Sequence, residues 1–269
     1  MHKIGLNPDE IVKFTQKVVE YSKNHPEMSV INDFDVVKRL TSRKFQFDLL
    51  NRCSMRVEGI DVYVPKSLEI KQDSTIEDCH ALIKKARIKF PVLAKPIASF
   101  IEKDAHKFTL IFNIDNLCDL PVPCLLQEFN NHGGVLYKAF VVGDCAMFCE
   151  RPSIKDMDCS ANKSIVFNSR SISKLDKVFL PELHDSDPNS RCWLTSGEKP
   201  DLLNADVINA IHKKMSKVTS LKFYGFDMLV DKQGNYALVD LSYFPGFTGI
   251  DKQDLSKSFE AMIKQCLVK

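Results

Sequence analysis

Between Phe90 and Asn168 the chain carries six short segments that are typical of β-strands, with no helical pattern between them. They read FPVLAK, FTLIF, CLLQEF, VLYKAFVVG, CAMFCE and SIVFN, and Gly143-Asp144 is a hairpin turn signal between the fourth and the fifth. Along the chain, strands and helices are mixed without the regular alternation of strand and helix that builds a parallel sheet. The pattern therefore predicts an α+β fold rather than a doubly wound parallel sheet.

Helical patterns lie on both sides of this strand-rich region. Capping residues and apolar spacing predict helices from Asn7-Pro8 to His25-Pro26, from Thr75 to about 88, over 204–219 and at the C-terminal end, with an amphipathic stretch over 34–50. We also expect short strands at 29–31 and 60–64, and a long loop over 174–203, which is rich in proline and polar residues.

The composition is that of an ordinary globular protein. The 269 residues are 44% hydrophobic and 27% charged, and the formal net charge of +2 is too small to predict a nucleic-acid partner. Because no run of 18 apolar residues occurs, and the N-terminus lacks the apolar core of a signal peptide, we expect no membrane association. Nine scattered cysteines without a CxxC pair indicate reduced thiols, hence a cytoplasmic location that does not exclude the nucleus.

A hairpin near the C-terminus carries the sharpest chemical pattern. It reads FYGFDMLVDKQGNYALVDLSYFPGF, and a turn over 232–235 would pair Asp231 with Tyr236. Antiparallel pairing then places Asp227 directly across from Asp240 on one face of the sheet.

Like charges directly opposite each other destabilise a sheet, so two carboxylates in this position favour a bound cation. Ser242 lies on the same face as Asp240, two residues further on. Oxygen ligands select Mg²⁺ or Mn²⁺, and Mg²⁺ held by few carboxylates usually also binds substrate phosphates. The alternative is a solvent-exposed face on which aspartates are harmless.

Several basic residues have positions that suit anion binding. Lys95 ends the strand FPVLAK and Lys138 interrupts an apolar run, while Arg151 ends the following strand and His106 precedes another. Each also has an ordinary interpretation, since a lysine at a strand end may only extend to solvent and a lone histidine is more often structural.

Together these segments resemble the inositol 1,3,4-trisphosphate 5/6-kinase family, also called inositol-tetrakisphosphate 1-kinases. The resemblance rests on four ordered blocks: FPVLAKP with His106 eleven residues after Lys95, LLQEFNNHGGVLYKAFVVG, ERPS with IVFNS, and FYGFDMLV followed by YALVDLSYFPGF. It implies an ATP-grasp fold, in which two α+β subdomains clasp ATP. It also implies phosphoryl transfer from ATP to hydroxyls of soluble inositol polyphosphates, with Mg²⁺ as cofactor and two ions expected.

The resemblance also implies roles for individual residues. It assigns Mg²⁺ to Asp227, Asp240 and Ser242, although Ser242 stands where the family usually has asparagine. ATP-binding roles fall on the strand-end lysine, the segment between subdomains and the Arg-x-Ser sequence: Lys95, Gln127, Glu128, Phe129, Arg151 and Ser153. Inositol phosphate roles fall on Lys3, Arg43, His106, Lys138, Ser242 and Gly246, of which His106 and Lys138 are the expected catalytic pair.

Domain limits follow from the same resemblance. We expect a shortened N-terminal substrate-side domain at 1–65, a central ATP-grasp subdomain at 66–130 and a C-terminal subdomain with the metal hairpin at 131–269, in a monomer. Two other functions stay open. One is a carboxylate–amine ligase, which would share the lysine and the metal hairpin. The other is a weakly active relative that binds nucleotide or inositol phosphate as a sensor or scaffold, for which Ser242 and the shortened N-terminal domain are the support.

Overall fold

The computed structural model describes residues 8–97, 104–157, 163–172 and 203–267. In these ranges the helices are α1 (Pro8–Asn24), α2 (Phe34–Arg39), α3 (Arg43–Asn51), α4 (Ile76–Ala86), α5 (Ser169–Ile172), α6 (Ala205–Thr219) and α7 (Lys252–Leu267), with a 3₁₀ helix at Ile114–Asp119. The strands are β1 (Met55–Val57), β2 (Ile60–Tyr63), β3 (Ser67–Ile70), β4 (Val92–Pro96), β5 (Lys107–Ile111), β6 (Cys124–Glu128), β7 (Val135–Val142), β8 (Cys145–Pro152), β9 (Ile165–Asn168), β10 (Phe223–Val230) and β11 (Tyr236–Ser242).

The strands form two sheets. One has the order β1-β2-β11-β10-β7-β8 and the other β3-β6-β4-β5-β9. Every pair is antiparallel except β11 with β2. The predicted α+β class is therefore confirmed. The division at residues 65 and 130 stays a prediction: β2 extends the sheet that contains the C-terminal hairpin, and β9 joins the sheet of the central segment.

Local capping explains where the helices begin. Thr75 and Asp78 form the predicted capping box at α4, in which the Thr75 hydroxyl accepts from the Asp78 amide and the Asp78 carboxylate accepts from the Thr75 amide. The Asn204 side chain caps α6 without a reciprocal bond, by accepting from two backbone amides of the first turn. These side chains satisfy backbone donors that a helix start leaves without partners.

One prediction of local structure was wrong. Residues 29–31 do not form a strand, because no strand among the described residues pairs with them and Asn32 takes a left-handed conformation with φ of 67°. The amphipathic stretch over 34–50 forms two helices, α2 and α3, and between them the Thr41 hydroxyl donates to the carbonyl of Lys38. This break puts Arg43 at the start of α3, where its amide donates to the carbonyl of Ile97 at 3.0 Å.

Each sheet has its own apolar core. The six-stranded sheet packs against α3 and α6 through a cluster that includes Leu50, Val207, Ile211 and Met215, all fully buried. The five-stranded sheet packs α4 on one face through Ile83. Its other face contributes to a separate cluster of apolar residues, Leu110, Phe112, Ile154, Phe167 and Ile172.

Candidate active site

The hairpin of β10 and β11 contains a β-bulge that the sequence pattern does not predict. Near the turn the pairing is Val230 with Tyr236, so the expected pairing of Asp231 with Tyr236 is wrong by one residue. Asp227 nevertheless lies opposite Asp240, as predicted. Between Leu238 and Asp240, β11 has one extra residue, Val239, which shifts the pairing by one and brings Asp240 opposite Asp227. Such a bulged residue is left without partners in the hydrogen-bond ladder between the strands.

The bulge supplies a partner for Lys95 on the facing sheet. The ammonium Nζ donates to the carbonyl of Val239 at 3.2 Å, and Lys95 is 5% exposed. Burial, and then the positive charge of Arg43, lower the pKa of Lys95 to about 8, against the attraction of the two aspartates. Lys95 is thus a desolvated ammonium that lies between the sheets and donates to the carbonyl of Val239.

Asp227 is paired with Lys138, its register partner on β7. The Lys138 Nζ lies 2.7 Å from the Asp227 Oδ1, and the two side chains are 24% and 17% exposed. Burial favours a neutral lysine, but the Asp227 carboxylate outweighs it and raises the pKa of Lys138 above its ordinary value. Lys138 therefore neither points to solvent nor stands alone, and it compensates one of the two carboxylates.

Asp240 is paired with Arg43. The Arg43 Nη1 lies 3.3 Å from the Asp240 Oδ1, and the Nη2 donates to the carbonyl of Ala105 at 3.0 Å. The guanidinium stacks over the ring of Phe108, 5.0 Å from its centroid, and its Nε is buried with no partner among the described residues. Burial lowers the pKa of Arg43, and the Asp240 carboxylate opposes that shift. Arginine keeps its charge in proteins because the charge is delocalised over the guanidinium.

These groups line one cavity of about 540 Å³ between the two sheets. Twelve of the residues singled out from the sequence line it: Arg43, Lys95, His106, Gln127, Glu128, Phe129, Lys138, Arg151, Ser153, Asp227, Asp240 and Ser242. Lys3 lies outside the described residues. Gly246 is exposed and is not among the residues that line the cavity.

The end of β6 and the residue that follows it form one wall of the cavity. Gln127 is buried, and its Nε2 has no partner among the described residues. The Glu128 carboxylate accepts from the amide of Lys89 at 2.8 Å, and the amide of Phe129 donates to the carbonyl of Pro91 at 2.9 Å. This segment is therefore held on both sides, and it leaves one buried side-chain donor facing the region where a ligand would lie.

His106 and Arg151 line the cavity, and each forms a hydrogen bond with another residue of the protein. The His106 Nδ1 lies 3.3 Å from the Ser169 hydroxyl. Burial, then the charges of Arg170 and Arg43, lower the pKa of His106 to about 4, so its imidazole is neutral at pH 7. Arg151 donates from Nη2 to the carbonyl of Thr248. His106 is therefore a neutral hydrogen-bonding group rather than a cation in this cavity.

Sequence reasoning missed other residues that line the cavity. Ser169 and Arg170 follow β9 and stand beside His106. Asn130 and His132 follow β6 and continue the wall that Phe129 begins. No spacing rule places these four residues in a site. Ser169 belongs to the block IVFNS and His132 to the block HGGVLYK, so these blocks were the only available signal.

Gly225 is a further position that the sequence did not mark. A Cβ there would lie 2.9 Å from the Pro245 Cβ, 3.0 Å from the Ala139 carbonyl oxygen and 3.1 Å from the Ser242 Oγ. The Ser242 hydroxyl also donates to the Gly225 carbonyl at 3.3 Å. Glycine at 225 thus lets β7, β10 and the end of β11 approach each other beneath Ser242.

We predict that Gly225→Ala lowers the free energy of unfolding by about 1–3 kcal/mol, because two of the three contacts are to groups that cannot rotate away. Urea denaturation followed by circular dichroism measures this loss. Gly246→Ala is the matched control, since the nearest atom to its Cβ would be the Thr248 Oγ1 at 3.8 Å. Equal stability of the two variants would contradict the packing argument.

Comparison with known proteins decides the family. The sequence model of the inositol 1,3,4-trisphosphate 5/6-kinase ATP-grasp domain matches residues 57–261, well over half of the chain. The chain belongs to this family. Curated relatives named inositol-tetrakisphosphate 1-kinase include one from Xenopus laevis, 28% identical over 90% of this chain and 59% of the relative, and one from Danio rerio, 28% identical over 91% and 60%. The chain thus spans about three fifths of the length of these relatives.

Solved structures confirm the ATP-grasp fold expected for the family. The Chryseobacterium gregarium RiPP-associated ATP-grasp ligase, in complex with ADP and a leader and core peptide, has a TM-score of 0.55 at 17% identity, covering 97% of this chain and 71% of the ligase. The macrocyclase MdnC from Microcystis aeruginosa, bound with its precursor peptide, has a TM-score of 0.54 at 12% identity, covering 97% and 73%. At these identities the likeness concerns the fold alone.

Two absences within the described residues bear on the chemistry of the chain. None of their helices is both long and apolar enough to span a membrane. Nor do three or more of their His, Cys, Asp and Glu side chains cluster as a metal-binding group. A cation at the aspartate pair would thus have two protein carboxylates and would need oxygen atoms from Ser242, water or a bound phosphate.

Proposed function

We propose that this chain is an ATP- and Mg²⁺-dependent kinase that transfers phosphate to a hydroxyl of a soluble inositol polyphosphate. The observation that carries the proposal is the charge arrangement at one end of the cavity. Three buried or half-buried cations, Arg43, Lys95 and Lys138, surround the carboxylates of Asp227 and Asp240. A site that holds both signs in low dielectric suits a polyanion together with its metal counter-ion.

The donor set fits Mg²⁺. Asp227 and Asp240 supply hard oxygen ligands from adjacent strands, and the Ser242 hydroxyl lines the same cavity. With only two carboxylates present, the remaining positions would go to water and to phosphate oxygens. When bound, the metal, for which we propose two ions, would neutralise charge on the transferring phosphoryl group.

The ATP end would be formed by the apolar wall and the cations next to it. Gln127, Glu128 and Phe129 line the part of the cavity that suits a purine base, where the Gln127 Nε2 has no protein partner. Lys95 would hold phosphate oxygens, because its desolvated ammonium has one carbonyl acceptor that phosphate can replace. Arg151 lies at the end of β8 and Ser153 directly follows that strand. Both would contact the same nucleotide.

The acceptor end would be formed by Arg43, His106 and Lys138. A polyphosphorylated inositol needs several cationic contacts, and phosphoryl transfer is catalysed mainly by positioning and charge neutralisation. His106 has a lowered pKa, so its ring is neutral at pH 7, and it is hydrogen-bonded to Ser169. It would therefore orient an acceptor hydroxyl through its ring nitrogens rather than serve as one more fixed charge.

One observation favours a second candidate, a nucleotide- or inositol-phosphate-binding protein with little turnover. Ser242 has a shorter reach than the asparagine usual in the family, and its hydroxyl is turned to the carbonyl of Gly225. A hydroxyl in that position coordinates a cation only if it gives up or shares this bond. The ligase alternative rests on the fold alone, since the sequence relatives are named as kinases.

A substrate screen separates the three functions. ADP release from Mg²⁺-ATP is followed in a coupled assay with inositol tris-, tetrakis- and pentakisphosphates, and in parallel with paired carboxylates and amines. The proposal predicts ADP release that depends on an inositol polyphosphate. Release only with a carboxylate and an amine would overturn it in favour of a ligase. Saturable binding of ATP and inositol phosphate without ADP release would overturn it in favour of the binding protein.

A further inference from the structure

The ring of His132 lies in a buried position where its proton can be assigned. Its Nδ1 lies 2.7 Å from the carbonyl oxygen of Asn130, and its Nε2 lies 2.7 Å from the Ser153 hydroxyl oxygen. A carbonyl only accepts, so the Nδ1 must carry a hydrogen. Burial lowers the pKa of His132 below its ordinary value, so at pH 7 the ring is neutral and the Nε2 is an acceptor.

The hydroxyl of Ser153 is fixed by this assignment. Its single hydrogen must point at the His132 Nε2, because that nitrogen has none to give. Toward the cavity, which Ser153 lines, its oxygen therefore offers only lone pairs. Phosphate oxygens also only accept, and so they do not match it. A group that donates a hydrogen does.

The position of Ser153 selects which part of a nucleotide it meets. On one side His132 packs edge-to-face on Phe129, with ring centroids 5.7 Å apart, at the proposed base end. On the other side Arg151, two residues before Ser153, lines the same cavity, and its guanidinium suits phosphate oxygens. The sugar of a nucleoside triphosphate lies between its base and its phosphates, and its hydroxyl groups are hydrogen donors.

From this geometry we propose that the Ser153 hydroxyl oxygen accepts a hydrogen bond from a ribose hydroxyl of the bound nucleotide, and that His132 is the positioning residue that keeps it an acceptor. The chain would then bind ribonucleotides in preference to deoxyribonucleotides. This inference rests on the proposed function, because it needs a nucleotide in the cavity.

The surrounding contacts hold both residues in place. The Asp156 carboxylate accepts from the amides of His132 and Gly133, at 2.9 Å each, and forms an ion pair with Lys232 at 3.0 Å. The amide of Ser153 donates to the carbonyl of Gly134 at 2.8 Å. A hydroxyl held in this way loses little additional freedom when a ligand binds, which favours discrimination by one hydrogen bond.

Calorimetric titration with ADP, 2′-deoxy-ADP and 3′-deoxy-ADP tests the proposal. The wild-type protein should bind ADP about three- to tenfold more tightly than one of the two deoxy forms, the range expected for one hydrogen bond. In Ser153→Ala that ratio should fall to about one, while affinity for the matching deoxy form changes little. Ser256→Ala, an exposed serine on α7, is the matched control and should keep the wild-type ratio.

A second variant tests the positioning role. His132→Phe keeps an aromatic ring against Phe129 but removes the hydrogen-bond acceptor, so the Ser153 hydroxyl is free to rotate. The ratio of affinities for ADP and the deoxy form should then fall toward one. An unchanged ratio in Ser153→Ala, or equal weakening of all three ligands in both variants, would overturn the inference. If the wild-type protein binds none of the three nucleotides, the proposed function itself fails, which is a different result.

Discussion

Asp240→Ala is expected to reduce Mg²⁺-dependent phosphoryl transfer by about a thousandfold or more, the order seen when a main electrostatic contact to the transition state is removed. The variant leaves Asp227 as the single carboxylate of the proposed metal site, and Asp227 is already paired with Lys138. It also leaves the buried guanidinium of Arg43 without its carboxylate. Steady-state ADP release with the best inositol polyphosphate measures the effect.

Loss of folding must be separated from loss of the metal site in this experiment. Asp240→Asn keeps the shape of the side chain and an oxygen that Arg43 can bind, but removes the negative charge, so it should lose activity while it melts near the wild-type temperature. Asp73→Asn, an exposed aspartate in the turn before α4, should be as active as the wild-type protein. Full activity of a folded Asp240→Asn would show that the aspartate pair does not hold the metal.

Lys138→Met is expected to weaken inositol phosphate binding at least tenfold while ATP affinity changes much less. Lys138 is proposed to bind at the acceptor end of the cavity, and Lys95 is proposed to bind the nucleotide. The same variant should cost about 2–4 kcal/mol of unfolding free energy, because the half-buried Asp227 loses the ammonium 2.7 Å away. Calorimetry with ADP and with the inositol phosphate, and urea denaturation, give the three quantities.

The double variant Lys138→Met/Asp227→Asn separates the two roles of the lysine. Removing the carboxylate also removes the unpaired charge, so the double variant should regain part of the stability lost in Lys138→Met. Inositol phosphate affinity should stay low, since no ammonium is restored. Equal losses of ATP and inositol phosphate affinity in the single variant would contradict the assignment of Lys138 to the acceptor.

The sequence predicts that Asp227 lies opposite Asp240, but it does not predict the bulge that produces this register. Strand alternation and the DKQGN turn place Asp227 across from Asp240, and the structure confirms that pairing. The prediction reached it through a pairing of Asp231 that does not occur. Instead the Asp231 carboxylate caps the turn by accepting from the amides of Gln233 and Asn235. The bulge at Val239 restores the register, and valine is an ordinary strand residue that gives no sign of a bulge.

Long-range contacts set the limit for the rest of the site. Lys138 and Arg43 were expected to face inositol phosphates, yet each compensates an aspartate 89 or 197 residues away in the chain. Periodicity places a residue on a face of its own element and does not say which distant strand or helix lies next to that element. The hydrogen bond between His132 and Ser153 lies at the open end of the β7–β8 hairpin, where Val135 pairs with Pro152. The Gly143-Asp144 turn signal predicts this hairpin, but it does not give the conformation of the segments that flank it.

Phosphoryl transfer to an inositol polyphosphate is tested most directly by following the phosphate itself. The wild-type protein and Asp240→Asn are each incubated with γ-labelled ATP, Mg²⁺ and the best acceptor of the screen, and the products are separated by anion-exchange chromatography. We expect label in a more highly phosphorylated inositol with the wild-type protein, and none with the variant or without Mg²⁺. Label that appears only as inorganic phosphate, or equally in wild type and variant, would contradict the proposed kinase function.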